Sequence, residues 1–306
     1  NMNRIAYILL SLGILCFQGC DKVEPPYYEA GSGDVVYIGT DAAIISGDTL
    51  TFEPDNTPVV KKVLLEDYTG HTCGNCPAAA QYIVNNLVPA NPDQLVVMGV
   101  HAGDFAKTTD ALPSQPAGSF QTDFTCGVGN AWYTKFNVNF NPCGMVNRVG
   151  YPTGAHLKPY LAWNSSINSQ KIIPPSQKIR LQSHLDTLTG IAHVAVQTEN
   201  LSAASGELKL QVVVTEDSVM DWQVWYGHIP EYEPSYYHRH VLRTTVNSNF
   251  GETIYSGNFN AGEKRIRGYS VQLNPNWDYK HCSVVAFLYD ATTQLVVQVE
   301  EMYLKH

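Results

Sequence analysis

Two cysteines separated by two residues carry the clearest chemical signal in this 306-residue chain. Cys73 and Cys76 follow the apolar run 63–68 and precede a stretch, 79–87, in which apolar residues recur at helical spacing. A CxxC pair between a strand and a helix is typical of thioredoxin-like redox sites. Because exposed N–H groups at a helix N-terminus favour a thiolate, Cys73 is predicted to attack a disulfide and Cys76 to resolve the mixed disulfide.

Two other uses of this motif stay open. A CxxC pair also occurs in zinc sites, and Cys126 and Cys143 would bring the number of thiols to four. These two cysteines lack the paired spacing of structural zinc sites, and an exported protein meets an oxidising compartment. The redox interpretation is therefore preferred, no metal is predicted, and a purely structural Cys73–Cys76 disulfide remains the third option.

Pro142 is the candidate for the cis proline that faces the cysteines in a thioredoxin-like site. It precedes a strand predicted at 145–149, although an ordinary loop proline is the alternative. Cys143 follows it directly and either lies beside Cys73 or pairs with Cys126. A Cys126–Cys143 disulfide, which would pin the long insertion and contribute roughly 3 kcal/mol, is the preferred interpretation.

Two histidines are candidates for positions beside the cysteines. His71 lies two residues before Cys73 and is expected to stabilise its thiolate. His101 and Asp104 follow the predicted strand 95–100, and the carboxyl ends of strands in an open α/β sheet point toward the site. A solvated or capping polar residue is the alternative for each.

A carboxylate on the strand that leads to the cysteines is the candidate proton acceptor. Glu66 is the predicted group, with Asp67 as the neighbouring possibility, and either would help Cys76 to attack. In the second half of the chain, His238 and His240 share one face if their segment is a strand. A tyrosine-rich surface that meets the first domain or a partner is preferred there to a two-histidine metal site.

The N-terminal residues read as a bacterial lipoprotein signal. Arg4 precedes an apolar stretch, 5–17, and Gly19 stands directly before Cys20. We predict that residues 1–19 are a signal peptide and that Cys20 becomes the lipidated residue anchoring the chain. The alternative, a transmembrane helix, needs roughly 18 apolar residues, and the run is shorter.

The charge balance excludes one class of partner. Without Arg4 the mature chain has 18 Lys and Arg against 28 Asp and Glu, a net charge of −10. An acidic chain is not an electrostatic binder of nucleic acid. Attachment to the membrane is therefore expected to depend on Cys20 alone, and nothing in the sequence indicates a small-molecule cofactor.

The hydrophobic pattern predicts two domains after a tether at 20–57. Residues 58–171 alternate strands with helices at 76–88, 131–136 and 155–169, as expected for an α/β thioredoxin-like domain. Residues 172–306 read as an all-β, Ig-like sandwich domain. Its strands are predicted at 178–184, 191–198, 207–215, 221–226, 238–245, 263–273, 282–289 and 295–303.

Several segments together resemble a known family. They are the signal ending at Cys20, the run Glu66-Asp-Tyr-Thr-Gly-His-Thr-Cys-Gly-Asn-Cys-Pro77, and the segments 99–104, 142–148 and 238–243. This combination resembles the Omp28-related outer-membrane lipoprotein family of Bacteroidetes. The resemblance implies a thioredoxin-like domain followed by a β-sandwich, anchored at the outer membrane and facing either the periplasm or the cell surface.

Two functions remain as hypotheses. The first is a cell-envelope thiol-disulfide oxidoreductase that acts on protein disulfides. The second is a non-catalytic, surface-exposed binding or assembly lipoprotein with a permanent Cys73–Cys76 disulfide. Thr72, which stands where thioredoxins commonly have an aromatic residue, weakens the first hypothesis.

Overall fold

The computed structural model describes residues 35–109 and 115–305. The predicted signal peptide and Cys20 therefore lie outside the described residues. The described part of the chain is mostly β and forms several sheets.

The end of the predicted tether is an antiparallel three-stranded sheet. Its strands are β1 (Val35–Ile38), β2 (Ala42–Ile45) and β3 (Asp48–Thr51). Ala43 and Ile45 are fully buried and pack with Ala195 and Ile266 of the following part of the chain. This small sheet is thus part of the folded body.

The described part of the CxxC segment contains three strands and four α-helices. They are β4 (Val63–Thr69), α1 (Cys76–Tyr82), α2 (Val88–Ala90), β5 (Leu95–His101), α3 (Gly127–Lys135), β6 (Cys143–Val146) and α4 (Trp163–Lys171). A π-helical stretch, Ile83–Leu87, joins α1 to α2. Strands β4 and β5 are parallel, and β6 runs antiparallel to β4. The nearly continuous burial of β5 is the pattern of a parallel strand that is covered on both faces.

The remainder of the chain is almost entirely strands. They are β7 (Gln177–Asp186), β8 (Ile191–Asn200), β9 (Ala204–Glu216), β10 (Val219–Val224), β11 (Tyr232–His238), β12 (Val241–Thr245), β13 (Glu252–Phe259), β14 (Lys264–Gln272), β15 (Cys282–Asp290) and β16 (Val296–Tyr303). Every second residue of β7 is buried, which is the pattern of a sheet with one face toward a core. The sheet β14-β8-β7 shares that core with β9, β13, β15 and β16.

One sheet runs through both halves of the chain. Its order is β16-β15-β9-β12-β5-β4-β6, with β13 paired to β9 outside this path. Strand β12 joins β5 in parallel, with Val241 opposite Gly99. A single apolar cluster includes Leu64 and Trp132 from the first half and Phe287 from the second. The segments expected at 58–171 and 172–306 therefore share a sheet and part of a core.

Strands β10 and β11 form an antiparallel hairpin, which we call the 219–238 hairpin. The sequence predicted one strand at 238–245, but the chain breaks after His238 and His240 has a φ of 51°. The condition under which His238 and His240 would share one strand face is therefore not met. Two strands of the segment 172–305, β11 and β13, were not predicted.

The helices differ from prediction mainly where they begin. Helix α3 begins at Gly127, four residues before the predicted 131–136 segment. The predicted helix 155–169 is a turn followed by a 3₁₀ turn, Tyr160–Ala162, and then α4. Lys158 forms two backbone hydrogen bonds with Gly144, so this segment is held beside β6 and cannot continue the helix.

Candidate functional site

The two cysteines of the CxxC motif form a disulfide in the turn between β4 and α1. Helix α1 begins at Cys76, with Pro77 in its first turn, so Cys73 lies in the preceding turn. The backbone N–H of Cys73 donates to Gly70 O, and that of Cys76 donates to Cys73 O. Strand, turn and helix thus have the predicted order around the pair.

Both cysteines are buried. Cys73 is 4% exposed and Cys76 is 2% exposed. The turn at Asp104–Ala106 covers one side of the CxxC turn. A hydrogen bond from Thr72 N to Phe105 O, at 3.1 Å, holds it there. A Cβ atom at Gly70 would lie 2.4 Å from the Phe105 backbone, so only glycine permits this contact.

The 219–238 hairpin covers the other side of the CxxC turn through main-chain hydrogen bonds. Val224 N donates to His71 O at 2.8 Å, and Tyr226 N donates to Gly74 O at 2.9 Å. A Cβ atom at Gly74 would lie 2.5 Å from the Tyr226 ring. The backbone of the turn is therefore already hydrogen-bonded by another part of the same chain.

A buried glutamine adds to this contact. Gln223 is 2% exposed, and its Nε2 donates to Cys73 O at 3.1 Å and to Gly70 O at 3.4 Å. The same group donates to Val224 O at 2.8 Å. This side chain fastens the hairpin directly to the carbonyl of the first cysteine.

A cavity of about 520 Å³ lies beside the disulfide. Its inner wall consists of side chains from β4, β5 and α1, including Asp67, His101 and Cys76. Its outer wall comes from the 219–238 hairpin and includes Trp225 and Tyr236. The tyrosine-rich stretch therefore lies against the CxxC segment. This contact agrees with the prediction that its surface meets the first half of the chain or a partner.

The predicted proton acceptor Glu66 is not at this cavity. It lies in a buried ion pair, in which Arg148 Nε and Nη2 donate to its two carboxylate oxygens at 2.9 and 2.8 Å. Asp67 lines the cavity instead, and its Oδ1 has no hydrogen-bond partner. Burial raises the pKa of the Asp67 carboxyl to about 7. The prediction that Glu66, rather than Asp67, is the carboxylate beside the cysteines is therefore wrong.

The two predicted histidines are both buried. His71 Nε2 donates to Lys107 O at 2.8 Å, and its ring packs edge-on against Phe120 and Phe124. His101 lines the cavity, and its Nε2 lies 3.3 Å from Nδ1 of His238. Burial lowers the pKa of both His71 and His101. Each ring is therefore held as a neutral group within an aromatic cluster.

Asp104, the other predicted group after β5, lies at the surface. Its side chain is almost fully exposed and pairs with Lys107 at 2.9 Å. The peptide bond before Pro142 is cis, and Cys143, which follows it, is opposite Tyr68 in the sheet.

The predicted Cys126–Cys143 disulfide is absent. Cys126, Cys143 and Cys282 are free thiols in the structure. Burial raises the pKa of Cys126 to about 11 and the pKa values of Cys143 and Cys282 to about 12. Because the thiolate is the reactive form, the raised pKa values make these thiols weak nucleophiles near neutral pH.

No three His, Cys, Asp or Glu side chains in the described residues are grouped so that they could hold a metal ion. Within 35–109 and 115–305, none of the helices has both the length and the hydropathy to cross a bilayer.

Comparison with protein families gives the affiliation. The family described as Outer membrane protein Omp28 matches residues 129–306, more than half of the chain. The chain belongs to the Omp28 family. This membership confirms the predicted location at the outer membrane. Lipidation of Cys20 remains a prediction.

Two solved structures are similar to this Omp28-family chain. HBP35 of Porphyromonas gingivalis has a TM-score of 0.58 at 14% identity, covering 80% of this chain and 76% of that one. A domain of the outer membrane lipoprotein Omp28 from the same organism has a TM-score of 0.31 at 20% identity, covering 44% of this chain and 92% of that one. The similarity to HBP35 is evidence for the fold alone. No curated protein sequence matches this chain at a significant level.

Proposed function

We propose that this chain is a non-catalytic binding lipoprotein of the outer membrane, in which Cys73–Cys76 is a structural disulfide. The observation that carries the proposal is the cover formed by the 219–238 hairpin, which hydrogen-bonds the CxxC turn and leaves both cysteines almost without solvent contact. A thioredoxin-like unit at 58–171 thereby serves as a platform for an Ig-like sandwich at 172–306. The lipid on Cys20 anchors both, facing either the periplasm or the cell surface.

The cover argues against exchange with protein disulfides. A nucleophilic cysteine needs an accessible, electropositive setting, and the attacked sulfur must be reachable by a second sulfur. Here the carbonyls of His71 and Gly74, which flank Cys73, accept hydrogen bonds from the hairpin. A substrate peptide would have to displace the hairpin before it could reach either sulfur.

One observation favours the rival oxidoreductase function. Asp67 lines the same cavity as Cys76, and burial raises its pKa to about 7. A carboxylate with such a pKa is suited to accept a proton from a resolving thiol near neutral pH. In this second candidate the hairpin opens, Cys73 attacks the substrate disulfide, and Cys76 then displaces the substrate thiolate to form Cys73–Cys76.

A trapping experiment separates the two functions. The full chain with Cys76→Ser is reduced, freed of reductant and incubated with insulin, whose disulfides are the substrate. We expect no mixed disulfide at Cys73 above the level of the matched Cys73→Ser/Cys76→Ser variant, because the hairpin blocks access. Both variants keep every other cysteine of the chain, so the comparison isolates Cys73. Accumulation of insulin on Cys73 of the single variant would establish the rival function.

A further inference from the structure

The cavity beside the disulfide has the size and composition of a small-molecule site. Its volume of about 520 Å³ falls within the range of ligand pockets. The walls combine the aliphatic Ile83 and Val84 with the rings of Trp225 and Tyr236. Such walls suit a compact apolar or aromatic body.

The acidic group in the inner wall is the carboxyl of Asp67. Asp67 is 5% exposed, lines the cavity, and has no partner for Oδ1. A buried polar atom without a hydrogen bond costs free energy, and a donor placed in the cavity would recover it. The donor that suits a carboxylate best is a charged one.

The other charged groups beside the cavity already have partners, so Asp67 is the candidate acceptor for a charged donor on the ligand. Across the cavity, Glu233 already accepts a hydrogen bond from Ser235 N and lies 3.9 Å from His228, while Arg239 pairs with Asp217 at 3.3 Å. Asp67 therefore differs from Glu233 in having no partner for one carboxylate oxygen.

The buried histidines of the cavity and the neighbouring Cys143 and Tyr236 are neutral near pH 7. Burial lowers the pKa values of the cavity histidines His101, His238 and His240. Burial also raises the pKa of Cys143, on the adjacent strand, to about 12, and the pKa of Tyr236 far above neutrality. Ionisation of Asp67 thus places an uncompensated negative charge in the inner wall.

We propose that this cavity binds a small molecule carrying a protonated amine on an apolar or aromatic body, with the carboxylate of Asp67 accepting the ammonium group. The inference deepens the proposed binding function and rests on it. The hairpin then has two roles, since it covers the disulfide and also supplies the aromatic wall of the ligand site.

The test is calorimetric binding to the full-length protein in detergent, with benzylamine, benzyl alcohol and benzoate as matched probes. We expect benzylamine to bind best at pH 8 and roughly tenfold more weakly at pH 6, because a carboxyl with a pKa of about 7 is mostly protonated there. The Asp67→Asn variant should lose both the preference for benzylamine and the pH dependence.

Two further variants keep the result interpretable. Asp104→Asn makes the same chemical change at an exposed carboxylate and should bind benzylamine like the natural chain. Ala80→Leu narrows the cavity from α1 and should weaken binding even if Asp67→Asn fails to fold. Equal binding of all three probes, or a benzylamine preference that survives Asp67→Asn, would overturn the inference. If no probe binds and insulin is still not trapped on Cys73, this inference fails while the non-catalytic assignment stands.

Discussion

Replacement of Arg148 by methionine is expected to lower the free energy of unfolding by about 3–5 kcal/mol. Arg148 and Glu66 form a bidentate ion pair in which both side chains are almost fully buried. Methionine keeps much of the volume but leaves Glu66 as an uncompensated charge. Urea denaturation of the full chain measures the loss.

The surroundings of Arg148 explain why the loss should be near the upper end for an ion pair. Its guanidinium lies 4.6 Å from the ring centre of Phe136, 5.0 Å from Phe287 and 5.2 Å from Tyr289. Cation–π contacts with desolvated rings add to the pair. These rings come from both halves of the chain, so Arg148 joins the CxxC segment to the strands of the second half.

Two controls separate the buried charge from general effects of the substitution. Lys107→Met breaks the exposed pair with Asp104 and is expected to leave the denaturation midpoint unchanged. Glu66→Leu combined with Arg148→Met removes both buried charges and should be more stable than Arg148→Met alone. If Arg148→Met changed stability by less than about 1 kcal/mol, Arg148 would not be a principal contact between the two halves.

The second large effect is expected from Gly74→Ala, which should speed reduction of the native disulfide by dithiothreitol roughly tenfold. The new Cβ would lie 2.5 Å from Cδ1 and 2.6 Å from Cγ of Tyr226, and because Cγ lies close to the main chain, the hairpin backbone must move away from the turn. That movement breaks the hydrogen bond from Tyr226 N to Gly74 O. Loss of one such bond shifts a local equilibrium by about 1.4 kcal/mol, or tenfold.

A paired variant tests whether the hairpin is the cause. Gly74→Ala combined with Tyr226→Ala removes the clash, so its disulfide should be reduced at the rate of Tyr226→Ala alone. The rates follow from alkylation of the released thiols and mass spectrometry. If Gly74→Ala left the rate unchanged, the hairpin would not control access to the disulfide.

The sequence predicts local structure around the CxxC motif well because the signals are local. An apolar run, a turn with two cysteines and a helical period lie within about 25 residues, and β4 and α1 follow in that order. The parallel strand β5 is likewise indicated by its continuous apolar character.

The cover over the cysteines is not predictable in this way. Gln223 contacts Cys73 across 150 residues of chain, and its polar side chain has no distinctive pattern. The aromatic residues of β11 mark an unusual surface, but their composition does not identify the segment they contact. The positive φ of His240 interrupts the strand, so the alternation of side chains along the sequence does not reveal where the hairpin ends.

The sequence predicts Glu66 at the site, but Asp67 lines the cavity, and this difference has a simple physical origin. Successive side chains in a strand point to opposite faces, so one of the two must face away from the cavity. Both faces of β4 are covered, and both carboxylates are buried. Only the position of Arg148, on the turn after β6, determines that Glu66 is the paired residue.

The reduction potential of Cys73–Cys76 in the full-length protein tests the central claim, that the hairpin makes this disulfide structural. Equilibration with redox buffers, followed by mass spectrometry of alkylated thiols, gives the value. We predict a potential below about −300 mV, as for structural disulfides. A potential between roughly −120 and −270 mV, the range of catalytic CxxC proteins, would contradict the account.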